Sequence, residues 1–260
     1  YGYELDGFYT TDDFSWDGSK WILNENLTDP TELIKYNNFG PGSLKLKADE
    51  DGKFTKKRLG NTVPTVTGGF GINMRYKNFD LSAFFNYSLG NKIVNATKLG
   101  SSYYNDTKKG WNLNDNFTLA NRYSWIDPST GENMLKSSYI KSNGLDYTIN
   151  RLNEINAGAS MYNPGSITEM PLLDWAVEDG SFLRVNNISI GYTLPKVFVN
   201  KMFMQNVRIY VTGYNLYCFT KYSGADPEVD TRRSTPMTPG VDYSAYPKSR
   251  SFVGGINVTF

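Results

Sequence analysis

The sequence predicts an all-β chain, an antiparallel segment of a transmembrane β-barrel with long extracellular loops, and three observations predict it. Stretches of the chain alternate apolar and polar residues with a period of two. Short and long connections between those stretches alternate strictly. Aromatic residues make up 15% of the chain, led by 19 Tyr and 15 Phe, while 24 Gly and 11 Pro punctuate it, a mixture that favours strands and loops over helices.

The clearest strand is Val66 to Tyr76, with Val66, Phe70, Ile72, Met74 and Tyr76 on one side and Thr67, Asn73 and Arg75 on the other. Lys77-Asn78 turns the chain into Phe79 to Gly90, where Phe79, Leu81, Ala83, Phe85, Tyr87 and Leu89 oppose Asp80, Ser82, Phe84, Asn86 and Ser88. Ser181 to Leu194 ends with Ile188, Ile190, Tyr192 and Leu194 on one face, but its first half, around Arg184, changes phase and predicts a bulge or a rise above the membrane. Val207 to Cys218 sets Val207, Ile209 and Val211 against Arg208, Tyr210 and Thr212. Phe252 to Phe260 closes the chain with Phe252, Ile256, Val258 and Phe260 on one side, and Tyr1 to Tyr9 is a weaker sixth candidate.

Alternation alone fits a soluble β-sandwich equally well, because an apolar face can be buried between two sheets. The connections decide for the membrane: Lys77-Asn78 and Pro195 to Asn206 are short, whereas Thr10 to Pro64, Asn91 to Gly180 and Phe219 to Arg250 are long and polar. Tight periplasmic turns and large outer loops have this asymmetry, which puts Phe260 on the periplasmic side. About six strands do not close a membrane barrel, and an open edge in hydrocarbon leaves backbone groups unpaired, so the remaining strands must lie elsewhere.

Composition excludes much else. The chain has 260 residues, with 27 Lys+Arg against 26 Asp+Glu, a net charge of +1 and no electrostatic footprint for nucleic acid. With no His, His-dependent nucleophilic triads, His-ligated zinc and the usual neutral-pH proton shuttle are absent. The single cysteine, Cys218, forms no internal disulfide and is read as space-filling.

The stretch Glu178-Asp179-Gly180-Ser181-Phe182-Leu183-Arg184-Val185, followed by Asn187-Ile188-Ser189-Ile190-Gly191-Tyr192-Thr193-Leu194-Pro195, strongly resembles the SusC/RagA-like TonB-dependent outer-membrane transporters. The ordered series continues through Val207 to Val211, Asn215-Leu216, Tyr222 to Val229, Tyr246-Pro247 and Gly255 to Phe260. Upstream, Tyr1-Gly2-Tyr3, Gly60 to Pro64, Gly68 to Gly71 and Tyr76 to Ser82 look like the same family. The resemblance implies that residues 1–260 are the C-terminal part of a large plugged barrel, with the plug and N-terminal regions outside this chain. It implies import of an oligosaccharide or oligopeptide, a SusD-like surface lipoprotein as lid, energy from the TonB complex through that N-terminal region, and integral residence in the outer-membrane lipid bilayer. No cofactor and no catalytic function are expected. A lidless siderophore- or cobalamin-type importer, a secreted carbohydrate-binding sandwich and a surface glycosidase are the competing readings; for the last, no carboxylate spacing indicates a catalytic pair.

Candidate sites are weighed residue by residue. Ala48 to Phe54 is read as an Asp-Gly turn and not a calcium loop, because the fuller Asp/Asn series is missing. Asp226, Glu228 and Asp230 are read as part of a charge-balanced loop paired with Arg232 and Arg233, and no metal site is expected. Trp16, Trp21, Tyr103, Tyr104, Trp111, Tyr123, Trp125, Tyr243 and Tyr246 supply loop aromatics for ligand contact or anchoring, and none singly is assigned as a binding residue. Trp175 and Tyr192 are expected in the aromatic girdle. Pro195 to Asn206 is read as a periplasmic turn.

Overall fold

The computed structural model describes residues 1–104, 112–201, 203–228 and 239–260. Along the chain, β1 (Leu5–Phe8), β2 (Phe14–Trp16), β3 (Trp21–Leu23), β4 (Lys35–Tyr36) and β5 (Leu44–Leu46) precede β6 (Val66–Tyr76), β7 (Phe79–Leu89) and β8 (Lys92–Asn95). They are followed by α1 (Ala96–Gly100), α2 (Ser137–Asn143), α3 (Leu145–Ile155), β9 (Ile167–Glu169) and β10 (Val177–Asp179). The last part carries β11 (Phe182–Thr193), α4 (Lys196–Lys201), β12 (Asn206–Thr220), β13 (Val241–Asp242) and β14 (Ser251–Thr259). These elements form two compact units, Tyr1–Leu59 with Ala96–Val177, and Gly60–Asn95 with Glu178–Phe260.

The second unit is built on one antiparallel sheet in the order β14-β12-β11-β7-β6, all long strands, called the wall below. β6 occupies the residues that alternation assigns to it, and β7, β11, β12 and β14 fall within two residues of their expected bounds. Lys77, at φ 53, makes the tight turn between β6 and β7. Asn78 secures that end of the sheet: its backbone carbonyl accepts from Thr193 N–H at 2.8 Å, and its side-chain amide donates to the Thr193 carbonyl at 2.8 Å. The expected periplasmic turn contains the short helix α4, after which Gln205 N–H donates to the Thr259 carbonyl at 2.7 Å.

The phase change around Arg184 is a one-residue bulge. Val185 pairs with Phe85 and Asn187 with Phe84, so Asn186 has no partner in β7. Odd residues of β11 share the apolar face before the bulge and even residues share it after, while β7 keeps one phase throughout.

The first unit gathers the two long N-terminal and central connections around its own apolar clusters. Tyr9, Phe14, Trp21, Tyr123, Trp125, Met134, Tyr139, Ile140 and Leu152 form one; Tyr3, Ile34, Leu44, Leu46, Phe117, Tyr162, Ile167 and Leu173 form another. α3 places Leu145, Ile149, Leu152 and Ile155 on one stripe, and Leu152 is fully enclosed. Gly144, at φ 91, makes the corner between α2 and α3.

The weak sixth candidate does not join the wall. Of Tyr1 to Tyr9 only Leu5–Phe8 is a strand, and it pairs irregularly with β5. Gly7 at φ +78 interrupts the extended run, and burial of Tyr3 and Tyr9 in the two clusters fixes it among the loops. The wall therefore has five strands among the described residues, and they do not close into a barrel.

Replacing Leu152 by Ala removes a side chain with no exposure, which should destabilise the loop unit by about 2–5 kcal/mol. Limited proteolysis should then cut residues 96–177 earlier than in the parent; an unchanged digestion rate would show that this cluster does not hold the unit together.

Candidate functional site

The wall has two chemically distinct faces. On one, Phe70, Ile72, Met74, Ile190, Ile209, Val211, Phe252 and Ile256 are exposed, with Ile190 and Val211 at 55% and Ile256 at 65%. A sandwich would bury these side chains against a second sheet; here they form a continuous apolar surface, broader than a water-facing sheet tolerates. Tyr192 stands on this face, 4.7 Å from the Phe79 ring centroid to centroid, and Phe70 stacks on Phe85 at 4.9 Å.

The other face is polar and cross-linked. Arg208 on β12 reaches over β11 to Asp80 on β7 in a two-pronged ion pair of 2.9 and 2.5 Å. Gly191 permits the crossing, since a Cβ there would lie 2.4 Å from the guanidinium. The Arg208 guanidinium also sits 5.0 Å from the Tyr210 ring centre, and that ring in turn covers Gly255 of β14. Thr212 donates to Ser189 at 2.8 Å in the same layer.

Arg184 anchors the third long connection to this face. Its guanidinium contacts Asp226 at 2.5 Å and Glu228 at 2.7 Å, and Glu228 also receives Lys248 at 2.6 Å and the Asn86 amide at 3.2 Å. Arg184 and Asp226 are almost fully buried, so each charge depends on the other. Among the described residues, Asp226 and Glu228 are balanced by Arg184 of a strand and by Lys248 near the end of the same connection; Asp230, Arg232 and Arg233 lie outside the described residues. Cys218 is opposite Arg184 in the β11–β12 register.

In the loop unit the aromatics divide. Trp21, Tyr123 and Trp125 are core, with the Trp125 indole N–H donating to the Pro41 carbonyl at 2.6 Å; Trp16 and Tyr103 pack against the clusters. Trp175 packs against the second cluster, with Lys98 over its ring at 4.7 Å, so it is an anchor of this unit and not a girdle residue. Tyr104, Tyr243 and Tyr246 are exposed, and Trp111 lies outside the described residues. In the Asp49 turn the carboxylate accepts from the N–H groups of Asp51 and Lys53, so its own backbone occupies it.

A cleft of about 530 Å³ opens within this unit, bordered by Asn37, Asn38, Tyr104, Arg122, Asn133 and Asn163. Between its lining residues Ile126 and Asn133 the chain carries an ionic knot. Asp127 accepts the Tyr139 hydroxyl at 2.6 Å, the Ser129 hydroxyl at 2.8 Å, the Ser129 amide at 3.0 Å and Arg151 at 3.2 Å. The Tyr139 hydroxyl, then the Ser129 donors, hold the Asp127 carboxyl well below the usual range, while burial and then Asp127 itself push Tyr139 up to about 12. Sequence reading gave no sign of this cleft, because its border comes from segments far apart in the chain, each too short to show periodicity.

No family model matches the chain. It is 31% identical to TonB-dependent receptor P3 of Formosa agariphila over 269 residues, an alignment covering 100% of this chain and 22% of that relative. TonB-dependent receptor SusC of Bacteroides thetaiotaomicron is 31% identical over 88 residues, covering 34% of this chain and 8% of SusC. Among solved structures, the RagAB peptide transporter superposes with a TM-score of 0.52 at 21% identity, over 100% of this chain and 22% of that one. The RagAB importer in its closed-closed state gives 0.51, again at 21% identity. The chain thus spans only 22% and 18% of the lengths of P3 and of TonB-dependent receptor P26 of the same organism.

Ile190→Arg, on the exposed apolar face, should cost about 2–4 kcal/mol in a bilayer, whereas Asn73→Arg on the polar face should be near neutral. Urea titration of vesicle-reconstituted receptor reads the difference, and equal costs would reverse the facing. The depressed Asp127 carboxyl contributes stability that is complete above the unfolded value near about 4 and is lost as pH falls toward the folded one. Asp127→Asn should lower loop-unit stability at neutral pH and flatten its dependence below about pH 4, followed by tryptophan fluorescence. A mutant acid profile parallel to the parent would remove Asp127 from the account.

Proposed function

Because the chain belongs to the SusC/RagA-like TonB-dependent receptors, we propose that it supplies the C-terminal wall and outer loops of a barrel that imports a nutrient across the outer membrane. The observation that carries this reading is the wall: one face apolar and open, the other polar and ion-paired, and, among the described residues, a free edge on each side at β6 and β14. Lipid accepts the first face and a water-filled interior the second, while the edges call for sibling strands that leave no backbone group unpaired.

The cargo in this reading is an oligosaccharide, with oligopeptide as the second possibility because the RagAB structures are of a peptide transporter. The long connections face outward, a SusD-like lipoprotein covers them, and TonB acts through a plug and N-terminal region carried elsewhere in the receptor. The chain itself performs no catalysis in this scheme; it separates lipid from lumen and presents the loops.

Deleting the receptor should abolish growth on an oligosaccharide too large for porins while sparing growth on its monosaccharide, and a tagged receptor should bring down a surface lipoprotein. Loss of growth on peptides alone would move the cargo to the second class. Recovery of the receptor in the soluble fraction without detergent would end the membrane reading.

A further inference from the structure

We propose that the cleft of the loop unit binds an acidic oligosaccharide, carboxylated or sulfated, with Arg122 as its anion contact. The cleft's volume, about 530 Å³, falls within the range of small-molecule sites, about 300–1,000 Å³. Arg122 is half-buried at its border and, among the described residues, makes no ion pair or side-chain hydrogen bond. Among the described residues no Asp or Glu borders the cleft, so Arg122 carries the charge there; Asp115 shares with Arg122 the lining of an adjoining hollow, with no ion pair between the two. A guanidinium that has given up part of its water without an anion in return is a poor element of stability and a good receptor for carboxylate or sulfate.

The neighbouring groups select a sugar as the carrier of that anion. The side-chain oxygens of Asn133 and Asn163 are held by the N–H groups of Leu135, at 2.9 Å, and Gly165, at 2.8 Å, which commits each amide NH₂ to donation elsewhere. Asn37 and Asn38 are exposed and offer donor and acceptor together, the pairing that vicinal hydroxyls need. Tyr104, half-exposed, provides a flat apolar face for a pyranose ring. A peptide would seek an unpaired backbone ladder, but the bordering backbone is engaged: Asn37 N–H donates to Ser166, Tyr123 N–H to Met161 and Asn163 N–H to Gly42, each at 2.8 Å.

This inference deepens the import reading and takes its biological meaning from it, but binding and import are separable. The test is calorimetry on the intact receptor in detergent, using trigalacturonate, sulfated maltotriose, neutral maltotriose and the tripeptide Glu-Glu-Glu. At least one acidic saccharide should bind more tightly than maltotriose, and which of the two does so identifies the anion. Arg122→Ala should weaken that ligand on the order of tenfold or more and erase its advantage over maltotriose, while Arg122→Lys retains part of the affinity. If Arg122→Ala fails to assemble, Asn133→Asp, which puts a negative charge at the border, should produce the same selective loss. Equal affinity for neutral and acidic saccharides, acidic binding indifferent to both substitutions, or preference for the tripeptide would overturn the proposal. Arg122-dependent binding without uptake would refute the import reading alone; uptake with Arg122-independent binding would refute the cleft alone.

Discussion

A strand that faces hydrocarbon on one side and water on the other has a single degree of freedom to get right, its phase, because every second side chain follows from it. The wall depends on that constraint at β11 more than anywhere. Carrying the phase of Ile188, Ile190 and Tyr192 backward without interruption would put Arg184 on the apolar face. The unpartnered Asn186 reverses the phase by one residue and delivers Arg184 to the polar side, within 2.5 Å of Asp226 and 2.7 Å of Glu228. A guanidinium facing lipid at mid-bilayer would cost about 2–4 kcal/mol, whereas the bulge gives up a single ladder position. The bulge is therefore the device that lets an arginine reside in a strand whose other half is apolar-facing on even residues.

The two units meet water by different means. In the wall, stability comes from long ladders, and its apolar residues are displayed; in the loop unit, strands of two to four residues contribute little, and enclosed aromatics supply the cohesion. Edge-to-face contacts such as Phe14 with Phe39 at 5.2 Å and Phe117 with Tyr162 at 5.0 Å give these clusters direction as well as area. A rigid core beneath a polar surface suits loops that must hold amides and a cation in place, since each donor ordered in advance is one that a ligand need not order on arrival.

How much of this was legible follows from the range of each signal. A period of two persists over eleven residues in β6 and β7, so both could be read directly, and the phase break at Arg184 was visible as a failure of that period. The loop unit was opaque for the converse reason: β2, β3 and β5 have three residues each, too few to define a period. α3 did carry a signal, Leu145, Ile149, Leu152 and Ile155 at helical spacing, but it lay inside a polar stretch read as loop. The partner of Asp226 lies 42 residues away on a strand, and no local spacing announces such a pair; Arg232 and Arg233, which the local spacing offered, lie outside the described residues. The Arg122 cleft draws on segments from Asn37 to Thr168, a property of tertiary packing alone.

Glycine placement shows that the polar face is arranged and not merely permitted to be polar. Gly191 and Gly255 face the same side as Arg208 and Tyr210, and each lies where a neighbouring long side chain must cross the adjacent strand. At Gly191 the guanidinium passes low enough to bond Asp80 with both prongs, and at Gly255 the Tyr210 ring occupies the space where a Cβ would come within 2.5 Å of it. Glycine weakens a strand through its entropy and its missing side chain, so a strand interior keeps it only where something gains from the space. Here the gain is lateral: β7, β11, β12 and β14 are tied into one layer by a carboxylate, a guanidinium and a ring laid end to end over two glycines. Such a layer resists shear between strands on the face opposite the apolar one, which is the mechanical demand that a wall bordering an aqueous passage would make of its inner face.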